Sequence, residues 1–68
     1  MYTWSAKNNN TYMRQERTAA TKLSAVRAAR HFVRNELYGE GTAYIYRNGV
    51  LIETHERSIF TQMRWVKY

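Results

Sequence analysis

The first seven residues alternate. Tyr2, Trp4 and Ala6 fall on one side and Thr3, Ser5 and Lys7 on the other, the period-two signature of a half-buried strand. Asn8-Asn9-Asn10 reads as a turn, because Asn tolerates left-handed backbone angles and bonds its own main chain. Thr11 to Gln15 reads as a short second strand closing an N-terminal hairpin, with a polar loop from Thr11 to Arg17 as the alternative.

From Thr21 to Tyr38 the period becomes that of a helix. At 100° per residue, Ala25, Val26, Ala29, Phe32, Val33 and Leu37 form one apolar sector. Thr21 is suited to the N-cap, with Ser24 in the third helical position. Ala25, Ala28 and Ala29 raise helix propensity, and small side chains let a helix sit close to a sheet. Gly39 and Gly41 stop it, either one able to take the left-handed C-terminal position.

Ala43 to Ile52 alternates about Asn48-Gly49, the strongest short hairpin signal. A two-residue loop predicts that Arg47 pairs with Val50, Tyr46 with Leu51, Ile45 with Ile52 and Tyr44 with Glu53. One face then carries Ala43, Ile45, Val50 and Ile52, expected to pack on the helix. The other carries Tyr44, Tyr46, Leu51, Glu53 and His55 and is expected to be partly open. Glu56-Arg57-Ser58 reads as a polar turn. Ile59 to Tyr68 reads as a last strand, with Phe60, Gln62, Arg64 and Val66 alternating with Thr61, Met63, Trp65 and Lys67. The expected fold class is α+β: a single domain over residues 1–68, with one helix packed on an antiparallel sheet of three to five strands.

Composition sharpens this picture. A chain of 68 residues has a modest core and is marginally stable alone. It has no Cys, so neither disulfides nor thiolate metal sites contribute, which fits a reducing compartment. Six Tyr, two Trp and two Phe must supply much of the buried area. Eleven basic residues against five acidic ones give a net charge of +6, a field that attracts phosphate or acidic protein. No apolar run approaches the ~18 residues of a membrane span, and the opening residues lack a signal-peptide pattern. A cytoplasmic location and no membrane partner are expected.

Arg27, Arg30 and Arg34 follow i, i+3, i+7 spacing and so project along one strip beside the apolar sector. Guanidinium groups make forked contacts with phosphate or carboxylate. The alternative is a solvated face partly paired with Glu36 or Glu40. Tyr44, Tyr46 and Trp65 interleave with Arg47 and Arg64. Aromatics on an open sheet stack unpaired bases in nucleic-acid-binding modules, or else pack on one another and on Trp4. Glu53-Thr54-His55 lacks a third ligand at useful spacing, so no metal is expected. The chain has no Gly-framed nucleophile elbow and no phosphate-cradling Gly loop. Glu53 and Glu56 do not share a strand face as paired carboxylates must. A non-catalytic protein without a cofactor is expected.

The succession of elements, with Ser24-Ala25-Val26-Arg27-Ala28-Ala29, Gly41-Thr42, Asn48-Gly49 and Arg64-Trp65-Val66, resembles small phage-encoded inhibitors. In particular it resembles a short anti-CRISPR family that acts on type I-F surveillance complexes. The likeness covers about the last two thirds of the chain. It implies an antiparallel sheet flanked by one helix, and basic side chains that compete with target DNA at the nucleic-acid interface of the complex, in a bacterial host cell. Arg27 is the helical position that matches best, while Val26 stands where a second basic residue would be expected. A basic chain cannot act as an acidic DNA mimic.

Three readings follow. The first is a phage accessory protein that inhibits a host protein or ribonucleoprotein complex, with Arg27, Arg30 and Arg34 engaging acidic side chains or guide-RNA phosphates and Arg47 and Arg64 extending the basic surface. The second is direct DNA or RNA binding by the basic helix and the aromatic sheet face. The third is an assembly protein whose aromatic face forms a homodimer.

Overall fold

The computed structural model describes residues 1–8 and 15–68. Strand β1 (Tyr2–Lys7) and strand β2 (Gln15–Ala19) pair antiparallel, and helix α1 (Lys22–Glu36) follows. Strands β3 (Gly41–Arg47) and β4 (Val50–Arg57) form the hairpin. A 3₁₀ turn (Ile59–Thr61) leads to the short strand β5 (Val66–Lys67). All pairings are antiparallel, in the order β2-β1-β3-β4-β5. The architecture is the expected α+β one, a single helix on one antiparallel sheet. Most of the expected Asn turn and of the strand from Thr11 to Gln15 lies outside the described residues. The second strand that is seen begins at Gln15.

Thr21 caps the helix as its place before the apolar sector predicts, its Oγ1 accepting from the Ser24 N–H at 3.1 Å. The helix ends earlier than expected, at Glu36. Tyr38 and Gly39 both take positive φ, 58° and 81°, and the Gly39 N–H returns to the Val33 carbonyl at 2.9 Å. Asn8 fastens this corner to β1, its amide donating to the Leu37 and Glu40 carbonyls at 3.3 and 2.6 Å. Gly41 is fixed by close approach: a Cβ there would stand 2.7 Å from the Lys7 carbonyl oxygen.

The core lies between the helix and the centre of the sheet. Ala25, Ala29, Phe32, Val33 and Leu37 from α1 bury against Trp4, Ala6, Ala43 and Ile45. Four of these residues are alanine, so the helix lies low on the sheet. Trp4 and Phe32 supply the bulk, their ring centroids 5.8 Å apart and tilted by 54°.

Two sequence expectations are corrected. Asn48 and Gly49 form the turn with φ of 50° and 83°, and Arg47 pairs with Val50 and Tyr46 with Leu51 as expected. Ile45, however, pairs with Glu53 and Tyr44 with Thr54, because the register shifts by one residue between Ile45 and Tyr46. Ile52 is the extra residue of a β-bulge. A one-residue slip sends every later side chain to the other face. Glu53 and His55 therefore lie opposite Ile45 and Ala43, on the helix side rather than beside the tyrosines. Val50 and Ile52 are 65% and 39% exposed rather than packed on the helix.

The second correction is at the C-terminal end. Glu56 and Arg57 belong to β4 rather than to a turn, and Ile59 to Tyr68 is not one strand. Ser58 Oγ accepts the Phe60 N–H at 3.2 Å while Thr61 Oγ1 accepts the Ser58 N–H at 2.9 Å. This reciprocal capping box winds the chain into the 3₁₀ turn. Gln62 and Met63 then both adopt φ of 58°, which turns the chain back to pair Val66 with Glu56.

Candidate anion-binding site on the helix

Arg30 occupies the middle of the arginine ridge and is half-buried. Its Nε and Nη2 lie 3.3 and 2.8 Å from His55 Nδ1. A guanidinium only donates, so Nδ1 accepts and the ring proton sits on Nε2. That nitrogen donates to Glu53 Oε1 at 2.9 Å, and Glu53 Oε2 meets Lys22 Nζ at 2.8 Å. Lys22 first and His55 second hold the Glu53 carboxyl below its ordinary value, while Glu53 raises Lys22. The chain Arg30–His55–Glu53–Lys22 leaves no buried side-chain polar atom unsatisfied among the described residues. His55 is only 2% exposed. The bulge at Ile52 creates this chain, because it brings both His55 and Glu53 under the helix.

Trp65 supports the other side of Arg30, whose guanidinium carbon is 4.9 Å from the ring centroid. Hydrogen-bonded at one edge and stacked over an indole, Arg30 is fixed in place. Arg27 and Arg34 flank it one turn away in each direction. Both are exposed, and among the described residues neither has a carboxylate partner, the ion pairs there being those of Glu53 with Lys22 and His55. The alternative expectation, pairing with Glu36 or Glu40, is not seen among these residues. Arg27, Arg30, His31, Arg34 and Trp65 enclose a shallow pocket of ≈ 250 Å³. The Asn35 amide nitrogen lies 3.1 and 2.9 Å from Nδ1 and Nε2 of the His31 ring.

A larger cleft of ≈ 690 Å³ adjoins it, lined by Trp4, Arg17, Arg27, Ala28, His31, Phe32 and Glu36. Arg27 and His31 border both hollows. The sequence reading missed this cleft, because its walls come from β1, β2 and α1. The one local signal was His31, which falls between Arg27 and Arg34 on the same strip.

The remaining expected site residues are dispersed. Arg47 sits at the hairpin end with its guanidinium 5.9 Å from the Tyr2 ring centroid. Arg64 is exposed in the turn before β5. Neither lines the ridge pocket. Tyr44 and Tyr46 are half-buried on the open face of the sheet, opposite Ser5 and Thr3 of β1, with Lys7 Nζ 5.7 Å from the Tyr44 ring centroid. Trp65 lies on the helix side, so it does not join the tyrosines. Among the described residues no three His, Cys, Asp or Glu side chains gather as metal ligands, and Arg30 takes the Nδ1 lone pair of His55. No described helix is long and apolar enough to cross a membrane.

Fold and site together define a small α+β protein with a basic, tryptophan-backed helix face. No family model, curated protein or solved structure matches the chain.

Proposed function

We propose that this protein is a non-catalytic docking module whose arginine ridge binds an anionic surface of a host ribonucleoprotein or protein complex, as a phage inhibitor of the anti-CRISPR type would. The observation that carries this reading is the state of the three arginines. Arg30 is immobilised between His55 and Trp65, while Arg27 and Arg34 stand exposed beside it without a carboxylate partner among the described residues. A central guanidinium that is already fixed loses little further side-chain entropy on meeting phosphate or carboxylate.

The test is competition on a purified type I-F surveillance complex. The protein is expected to reduce target-DNA binding, and the Arg27→Glu, Arg34→Glu double variant is expected not to. Target binding that the unaltered protein leaves unchanged rejects this inhibitor reading. Direct binding of nucleic acid is the second reading, favoured by the cleft lined in part by Trp4 and Phe32 that shares Arg27 and His31 with the ridge pocket.

A further inference from the structure

The ridge pocket and the adjoining cleft differ in chemistry. The pocket is cationic, lined by Arg27, Arg30 and Arg34 with His31 and Trp65. The cleft is lined by the largely buried Trp4 and Phe32, by Arg17, Arg27 and His31, and by Glu36. A ligand spanning both must be anionic at one end and flat at the other, with N–H donors for Glu36. An acidic peptide meets the first condition, but its Asp and Glu side chains offer neither a flat ring nor an N–H donor for Glu36. A nucleotide unit meets all three: its phosphate faces the arginines, its base stacks against guanidinium and imidazole planes, and an exocyclic amino group reaches a carboxylate as cytosine N4 does.

We infer that the helix face is a single-stranded nucleic-acid site, in which phosphates sit along Arg27, Arg30 and Arg34 and one base enters the cleft between Trp4, Ala28 and Glu36. This rests on the ridge being the anion-binding surface and names the anion. Duplex DNA is a poor occupant, because its bases are stacked and paired and none is available to the cleft. The base site is therefore on the helix side of the sheet, away from Tyr44 and Tyr46.

The test uses fluorescence anisotropy with two labelled probes of equal length and charge, a twelve-nucleotide oligodeoxycytidine and its fully abasic counterpart. Unlabelled poly-L-glutamate serves as competitor. One base in the cleft is expected to make the oligodeoxycytidine bind about tenfold more tightly than the abasic strand. Ala28→Trp, which fills the cleft, is expected to abolish that preference. Glu36→Gln, a surface change that avoids any packing defect, is expected to shrink the preference as well. Equal affinity for the two strands overturns the base site but leaves the ridge standing. Displacement by poly-L-glutamate as effective as by oligodeoxycytidine overturns nucleic acid as the partner class. Binding of either strand that survives Arg27→Glu with Arg34→Glu overturns the ridge itself.

Discussion

Arg30 Nη2 donates to His55 Nδ1 across 2.8 Å, and this bond couples the exposed helix face to the buried side of β4. His55→Ala would strip Arg30 of its acceptor, deprive Glu53 of a donor and leave a void beside Ala43. Half-buried polar groups that each lose a hydrogen bond, together with the cavity left by a buried side chain, cost about 2–4 kcal/mol. Urea unfolding followed by circular dichroism is expected to show a loss of that size, and a loss within the range of ordinary surface substitutions would rule out a structural role for the pair.

Acid should weaken the fold through Glu53. Its folded-state carboxyl is held below the ordinary 4.5 by Lys22 and His55. A group depressed in this way contributes stability above its unfolded value and loses it as pH falls through the folded one. Stability should therefore decline below about pH 4.5, and Glu53→Gln should flatten that decline. Lys22 has the opposite sign. Raised above 10.5 by Glu53, it contributes while Glu53 is ionised, and on the alkaline side its share fades as pH rises through the folded value. Denaturant midpoints across both limbs separate the two groups.

The bulge predicts an unusual tolerance. Ile52 has no partner on β3, while Leu51 and Glu53 pair with Tyr46 and Ile45. Deleting Ile52 would restore strict alternation and keep His55 opposite Ala43. The deletion variant is expected to fold with a Tm within about 8 °C of the parent, the equivalent of ~1 kcal/mol in a domain this small. Loss of cooperative melting would mean that the local twist of the bulge is needed to seat the helix.

The same residue explains where sequence reading stopped. The helix was legible because its apolar residues recur at 3.6 spacing, and the hairpin because Asn48-Gly49 permits only a tight turn. Nothing in Val50-Leu51-Ile52 marks which residue bulges, since all three suit a strand, so the faces of Glu53 and His55 were misassigned. The tail failed differently. Ile59 to Tyr68 alternates as a strand would, yet Ser58 and Thr61 carried a capping signal that outweighed it. Ridge spacing exposed Arg27, Arg30 and Arg34. The role of Trp65 depended on the turn at Gln62 and Met63, which brings a C-terminal residue under the helix.

Salt dependence tests the three arginines separately. Each phosphate neutralised on a single strand contributes about 0.7 to the slope of log affinity against log salt. Arg34→Ala and Arg27→Ala are each expected to lower that slope by about 0.7, with stability altered by less than about 0.5 kcal/mol because both side chains are exposed. Arg30→Ala should do more, since it removes a phosphate contact and also uncovers Trp65 and leaves His55 without its donor. Its signature is a lower slope together with a lower urea midpoint. If Arg30→Ala changed stability but left the slope unaltered, Arg30 would be a brace for the site, and the anion would be held by Arg27 and Arg34.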